Sequence, residues 1–101
     1  MKDSIMEMHE WRTAQIFLSI RGIFEVDVDI ESEEIRCSCP GFQTRKVCKH
    51  TRFVMKKVTE NDGVYPLKIS SRATASETRD AQESYESFRD FAVKYGKIEI
   101  L

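Results

Sequence analysis

The chain lacks the features that mark a membrane protein, a disulfide framework or a polycation. Its longest apolar run is only a few residues, which is too short to cross a bilayer. It has 3 cysteines, so pairing two of them would leave one over. Its 16 basic and 17 acidic residues give a net charge of −1, and it contains no repeat or low-complexity tract. What remains is one small globular domain of 101 residues with a modest core.

The first residues also lack the apolar core of a secretory leader, because Met1 to Glu7 mixes charged and apolar side chains. Free thiols favour a reducing compartment. We therefore expect the protein in the cytoplasm, or in the nucleus of a eukaryotic cell.

The three cysteines and one of the two histidines lie within a single short run. Cys37 and Cys39 form a Cys-x-Cys pair, and after eight residues Cys48 and His50 form a Cys-x-His pair. Three thiolates and one imidazole complete the tetrahedral shell that Zn²⁺ prefers, so the pattern predicts a closed structural zinc site. Residues two apart on a strand point to one face, which lets the first pair grip a single ion. Pro40 and Gly41 are expected to turn the chain sharply after it.

Two other interpretations of the cysteines stay open at this point. They could be free thiols buried as small apolar groups, although their neighbours are polar or charged. They could form a disulfide, which would leave an odd cysteine.

The run has a wider context. Phe24 to Ile30 alternates apolar and acidic residues, as a half-buried strand does. Ile35 returns as the partner strand, and Phe53 and Val54 follow the last ligand on a helical pattern. From about residue 23 to 58 the sequence resembles the SWIM-type zinc finger, in which Cys-x-Cys and Cys-x-His lie on a β-hairpin followed by a helix.

The resemblance implies that Cys37, Cys39, Cys48 and His50 are the zinc ligands, and that Pro40 and Phe42 belong to the family's Cys-Pro-x-Phe continuation. It also implies a DNA-binding or protein-binding module. Such fingers occur in transposases, chromatin remodellers, ubiquitin ligases and recombination accessory proteins.

The fold class predicted is α+β, with a small antiparallel sheet, a zinc-bound ββα finger and a C-terminal amphipathic helix. Residues 1–70 are expected to hold the sheet and finger (finger core 23–58), residues 71–76 a linker, and residues 77–101 a helix and a terminal strand packing on the same domain. The predicted elements are a short or frayed start over 1–10, strands over 12–20, 24–30, 35–39, 64–70 and 97–101, and helices over 51–59 and from about 76 to 95.

The last helix carries an aromatic stripe. Ala81, Tyr85, Phe88, Ala92 and Tyr95 recur at helical spacing, and Phe91 widens the stripe. The stripe is expected to cover the sheet. If the finger already fills its own core, the same stripe becomes a docking surface, which Trp11 and Met6 or Met8 could extend.

Charge is segregated along the chain. Six acidic and no basic residues occur from Glu25 to Glu34, and seven basic and no acidic residues from Arg36 to Lys57. A basic face over the finger indicates binding to the phosphates of nucleic acid, with DNA expected ahead of RNA. The cations could instead only balance the thiolates. Gln43 and Thr44 are the candidates for base-edge contacts. The nucleic-acid-binding residues predicted are Arg36, Gln43, Thr44, Arg45, Lys46, Lys49, Arg52, Lys56 and Lys57.

The predicted function is a non-enzymatic, zinc-stabilised binding module, acting as a DNA-binding accessory factor. In the alternative it is a protein adaptor that binds through the aromatic helix or the acidic strand, whose Glu25, Asp27 and Asp29 are otherwise expected to face solvent. An enzyme using Cys48 with His50 or His9 as base is disfavoured, because zinc would consume every cysteine. His9 is expected to be an exposed side chain without a special role.

Overall fold

The structure is a computed structural model, and it describes residues 10–29 and 31–101. The predicted N-terminal segment, with Met6, Met8 and His9, lies outside the described residues except for Glu10. Within the described part, no helix combines the length and apolar character needed to span a membrane.

Three strands come first in the described chain, helices follow, and a short strand ends it. This order confirms the α+β class. The three strands predicted before the second ligand pair and the helix predicted after it are all present, within a few residues of their expected bounds. The strands are β1 (Trp11–Ser19), β2 (Gly22–Asp29), β3 (Ile35–Cys37) and β4 (Ile98–Ile100), and the helices are α1 (Pro40–Arg45), α2 (Lys49–Glu60), α3 (Ala75–Asp80) and α4 (Tyr85–Tyr95), with a 3₁₀ turn at Ala81–Glu83.

The four strands form one sheet in the order β3-β2-β1-β4. The first three strands pair antiparallel, as predicted, but β4 lies parallel to β1, so the sheet is mixed rather than antiparallel. The reason is the connection: the chain reaches β4 through helices, and a helical crossover returns a strand in the parallel sense. The strand predicted over 64–70 is wrong, since only Ile69 forms a bridge, to Gly96.

A β-bulge in β1 decides which residues face the core. Thr13 pairs with Asp27 and Gln15 with Val26, so Ala14 is the extra residue. Ala14 and Phe17 can then both join the core that lies between the sheet and α2, together with Val26. This core includes three of the four predicted zinc ligands, so the sheet and the finger share one interior.

The opposite face of the sheet is covered by the C-terminal helices. Tyr85 donates a hydrogen bond to Glu25 (2.8 Å) and one to Asp27 (3.1 Å), and Arg89 pairs with Glu25 at 2.7 Å. Arg36 pairs with Asp27 at 2.9 Å. The prediction that the acidic strand faces solvent is therefore wrong: Asp27 is only 4% exposed.

The third acidic side chain of β2 is used differently. Asp29 is 1% exposed, and its Oδ1 accepts hydrogen bonds from the backbone N–H of Glu10 and Glu31. It therefore closes the turn between β2 and β3, as short acidic side chains commonly do. All three alternating acidic residues of β2 therefore accept hydrogen bonds from other parts of the protein.

Helix α4 begins later than the sequence predicted. The expected single helix is interrupted at Ser84, whose backbone is extended and whose Oγ accepts from the N–H of Ser87. A serine that caps a helix competes with continuation of the preceding one. The interruption lets α4 start at Tyr85, which carries the hydroxyl that bonds both carboxyl groups. Upstream, Thr74 and Glu77 form the capping box of α3, so the helix starts within the predicted linker 71–76.

Gly96 ends α4, as predicted. Its N–H bonds the carbonyl of Ala92 at 2.7 Å, and a Cβ at this position would lie 2.5 Å from that oxygen. Only glycine allows so close an approach. The chain then turns into β4 and completes the sheet.

Glu25 and Asp27 behave as a coupled pair of carboxyl groups. Burial and the neighbouring Glu25 raise the pKa of Asp27 to about 7, against the opposing effect of Arg36. Burial alone would raise the pKa of Glu25. Hydrogen bonds from Asp27, Arg89 and Tyr85 outweigh this effect and hold the pKa well below the usual range. Burial and the same carboxylates raise the pKa of Tyr85 to about 12, so it stays a donor. The two carboxyl groups beside the docked helix therefore differ in proton affinity, and Asp27 is the one that holds a proton more tightly.

Replacing Tyr85 by Phe removes the hydroxyl that bridges this pair, and we expect the free energy of unfolding to fall by about 1–3 kcal/mol, because two partly buried acceptors lose a donor. The matched control is Tyr95→Phe on the same helix, whose hydroxyl donates to Glu77 near the surface and should matter less. Urea unfolding of both variants measures the effect. Equal values for the two would contradict the role given to Tyr85.

The raised pKa of Asp27 predicts a pH dependence of stability. Its contribution is complete below the unfolded pKa of 3.8 and is lost as pH rises through about 7. We expect Asp27→Asn, which cannot ionise, to gain stability relative to the unmodified protein by roughly 1 kcal/mol from pH 5.5 to 8, after allowance for solvent screening. Unfolding with zinc present, compared at each pH, measures this, since effects of pH on zinc binding cancel in the difference. If the difference in stability between the two proteins does not change with pH, the pKa of Asp27 is not raised in the folded protein.

Candidate metal centre

The first pair of cysteines comes from the end of the sheet. Cys37 is the last residue of β3, and Cys39 precedes α1 with an extended backbone. The sharp turn predicted at Pro40 and Gly41 is instead the first turn of α1, with proline in the position where a helix tolerates it best. Phe42 on this helix is buried against the cluster, which anchors the spacer between the two ligand pairs.

The second pair comes from the start of α2. Cys48 caps this helix: its Sγ accepts from the N–H of Thr51 (3.4 Å), and the Thr51 hydroxyl accepts from the Cys48 N–H (3.1 Å). Capping boxes of this kind satisfy backbone donors that a helix start leaves open. His50 lies in the first helical turn, so the cap also sets the direction of the imidazole.

The four side chains converge. The ligand atoms of Cys37, Cys39, Cys48 and His50 all lie within 4.8 Å of one another, and all four residues are buried. Nδ1 of His50 is 3.7 Å from Sγ of Cys37 and from Sγ of Cys48. In tetrahedral zinc with bonds of about 2.3 Å to sulfur and about 2.0 Å to nitrogen, that edge is about 3.5 Å. The donor set and its dimensions therefore fit zinc, bound through Nδ1.

The environment of the ligands differs from one to the next. Burial raises the pKa of the Cys37 thiol, so an incoming metal has to displace its proton. Burial acts the same way on Cys48, but hydrogen bonds with Thr51 and the other thiols leave its pKa below the ordinary value. Burial and Lys49 lower the pKa of His50, which keeps the imidazole in the neutral form that ligates metals.

Two aromatic rings stand beside the imidazole. The ring centroids of Phe17 and Phe24 lie 4.8 Å and 5.6 Å from that of His50. Nε2 of His50 is buried and has no hydrogen-bond partner among the described residues. The orientation of the ring is thus held by packing against β1 and β2 rather than by a carboxylate.

Such a cluster is a closed structural site. Zinc, when bound there, joins the end of β3 to the start of α2 and supplies folding energy rather than a reactive open position. The residues that would hold it, Cys37, Cys39, Cys48 and His50, are the ones predicted from the sequence.

The predicted nucleic-acid contacts are divided by the structure into two groups. Arg36 lies on the α4 side of the sheet, where it pairs with Asp27 and stacks on Trp11 with 4.2 Å between Cζ and the ring centroid. Gln43 donates to the Cys37 carbonyl and Thr44 to the Pro40 carbonyl, so both donor groups are used within the finger. The remaining predicted residues are all exposed on the finger and α2: Arg45, Lys46, Lys49, Arg52, Lys56 and Lys57.

Three of these cations line a cleft beside the zinc cluster. Arg45, Lys49 and Arg52 form its finger side, and the turn between β1 and β2 contributes Arg21. The cleft has a volume of about 680 Å³, and no acidic side chain of the described residues lines it. Among the residues that the structure describes, none of these four cations forms an ion pair.

Sequence reasoning missed Arg21. It stands 15 residues before Arg36 and outside the basic run, at the tip of the β1–β2 hairpin. The signal that could have found it is the hairpin itself, because Gly22 marks a tight turn whose tip residue projects beyond the sheet.

Comparison with known proteins agrees with the geometry. The family model described as SWIM zinc finger matches residues 24–58, which span β2, β3, α1 and most of α2. Residues 24–58 are thus similar to the SWIM zinc finger, a zinc-binding module. No curated protein and no solved structure matched the chain.

Replacing Cys48 by Ala removes one ligand and the cap of α2, and we expect loss of zinc and loss of cooperative folding, since metal binding to such sites is worth on the order of 10 kcal/mol. The unmodified protein in excess chelator should behave in the same way. Zinc content by elemental analysis and thermal unfolding by circular dichroism measure both effects.

The matched control is Thr44→Ala, in the same finger but outside the cluster, which should keep zinc and most of its stability. If Cys48→Ala melts like the unmodified protein in zinc-replete buffer, the cluster does not hold the fold together.

Proposed function

We propose that this chain is a zinc-stabilised, non-enzymatic module that binds nucleic acid through the cleft beside its finger. The observation that carries the proposal is the lining of the cleft: four cations, Arg21, Arg45, Lys49 and Arg52, with neither an ion-pair partner nor an acidic side chain beside them among the described residues, in a chain whose net charge is −1. Phosphate groups are the ligands that such a surface attracts most strongly.

Balancing the thiolates does not account for these cations. Zn²⁺ with three thiolates and a neutral imidazole carries a formal charge of −1 (+2 − 3), whereas the four cations carry +4. The surplus positive charge faces a cleft that no acidic side chain of residues 10–29 and 31–101 lines. Lys46, Lys56 and Lys57 extend the positive surface around the finger. We expect binding dominated by phosphate contacts and weakly specific for sequence, because the donor groups of Gln43 and Thr44 are engaged within the finger.

The contacts between the acidic strand and the aromatic helix favour nucleic-acid binding over the adaptor interpretation, because they use part of both surfaces that an adaptor would offer. The acidic strand and the aromatic helix bind each other: Tyr85 and Arg89 occupy Glu25, and Phe88, Phe91 and Tyr95 are half-buried. A basic partner would have to displace α4 to reach the carboxylates.

The absence of catalysis is part of the proposal and has a chemical basis. All three cysteines belong to the closed cluster, which leaves no thiol nucleophile in the chain. Zinc–thiolate sites are kept intact by reducing conditions, so we propose a reducing compartment, cytoplasm or nucleus, as the place of action.

Reversing two cleft charges in the variant Arg45→Glu/Arg52→Glu should weaken binding to a 20-nucleotide DNA by at least tenfold at low salt. It should also reduce the slope of log K against log salt by about 1.5, because two phosphate contacts disappear. Fluorescence anisotropy over a salt series measures both quantities, with zinc content checked to show that the finger is intact.

The matched control is Arg72→Glu/Arg79→Glu, which makes the same charge change on exposed arginines outside the cleft. It should retain most of the affinity. If both variants lose affinity equally, binding depends on net charge and not on the cleft. If the unmodified protein does not bind DNA, the proposed function is rejected.

A further inference from the structure

We infer that the cleft receives single-stranded nucleic acid rather than a duplex. The inference rests on the proposed function and adds the form of the ligand. It comes from exposed aliphatic side chains that also line the cleft, and from the concave shape of the cleft.

Large aliphatic side chains are interspersed with the cations. Ile20, at the tip of the β1–β2 turn, is 104% exposed, Val47 in the finger is 53% exposed and Ile100 in β4 is 80% exposed. All three line the cleft, together with Phe24 and Leu101. Exposed aliphatic groups concentrated beside a basic site are typical of a surface that binds a partly apolar partner.

A single strand has both kinds of surface. Its phosphates match Arg21, Arg45, Lys49 and Arg52, and the faces of its unstacked bases can cover the aliphatic groups. In a duplex the base faces are stacked inside the helix, and the outer surface is mostly phosphate and sugar. Binding a duplex would place Ile20 and Val47 against charged backbone without any apolar contact in return.

The dimensions point the same way. A cleft of about 680 Å³ lies within the roughly 300–1,000 Å³ range of pockets that enclose small ligands. It can take a base with its sugar and phosphate, whereas proteins that read a duplex insert a helix or a β-ribbon into a groove about 12 Å wide. The described cleft is a concave surface between a turn and a finger, which suits a strand laid into it.

The experiment compares three ligands on the full chain with zinc bound: a single-stranded 20-nucleotide DNA of mixed sequence, the duplex of the same sequence, and inorganic polyphosphate of similar charge. Fluorescence anisotropy measures the oligonucleotides directly, and polyphosphate is measured by competition. We expect the single strand to bind at least tenfold more tightly than the duplex or polyphosphate at the same salt concentration.

The variant Ile20→Ser/Val47→Ser tests the apolar contacts. It should weaken single-strand binding by about tenfold while leaving the salt slope unchanged, because no cation is removed. The matched control, Val64→Ser/Val93→Ser, changes two exposed aliphatic residues outside the cleft (63% and 50% exposed) and should bind like the unmodified protein.

The outcomes separate this inference from the proposed function. Equal or tighter binding of the duplex, or of polyphosphate, overturns the inference and leaves nucleic-acid or polyanion binding in place. An unchanged affinity in Ile20→Ser/Val47→Ser also overturns it. Failure to bind any of the three ligands rejects both proposals.

Discussion

The contact on which the structure depends is the convergence of three sulfur atoms and one imidazole nitrogen between the end of β3 and the start of α2. The cluster belongs to the same interior as Phe17, Val26 and Val54, so the metal site and the hydrophobic core are one unit. In a chain of 101 residues this matters, because a small core leaves little margin for stability. The sheet, the finger and the basic cleft beside it all take their positions from this unit.

The segregation of charge along the sequence follows from the two faces of the sheet. On one face, β2 directs Glu25 and Asp27 towards α4, where Arg36, Tyr85 and Arg89 meet them. Two residues of the acidic segment, Glu25 and Asp27, therefore dock the C-terminal helices. On the other side, the cations of the finger and α2 have no acidic neighbours in the described cleft and stay available for a ligand. A net charge near zero thus conceals a local separation: Glu25 and Asp27 bind groups within the fold, whereas the cations of the cleft have no acidic side chain beside them among the described residues.

The sequence was most informative where the constraint is local. Ligand spacing, the alternation over β2 and the helical pattern after His50 predict the finger closely, because each depends on neighbours along the chain. It was least informative where distant segments meet. Nothing near Asp27 indicates that Tyr85, 58 residues away, would bury it. The same holds for Arg36, which the basic run groups with the finger cations although it pairs with Asp27, and for Arg21, which only the hairpin geometry places at the cleft.

The serine that interrupts the C-terminal helix connects local sequence patterns with contacts between distant segments. A continuous helix from α3 into α4 would satisfy the apolar periodicity equally well, but it would lack the Ser84 cap at which α4 begins. Ending one helix and capping the next puts Tyr85 in the first turn, where its hydroxyl reaches both carboxyl groups. The acidic face of β2 then has donors without needing a basic ligand from outside. That arrangement leaves the cleft beside the finger as a basic surface without acidic side chains among the described residues, and its mixture of cations and aliphatic groups is the basis of the single-strand ligand proposed for it.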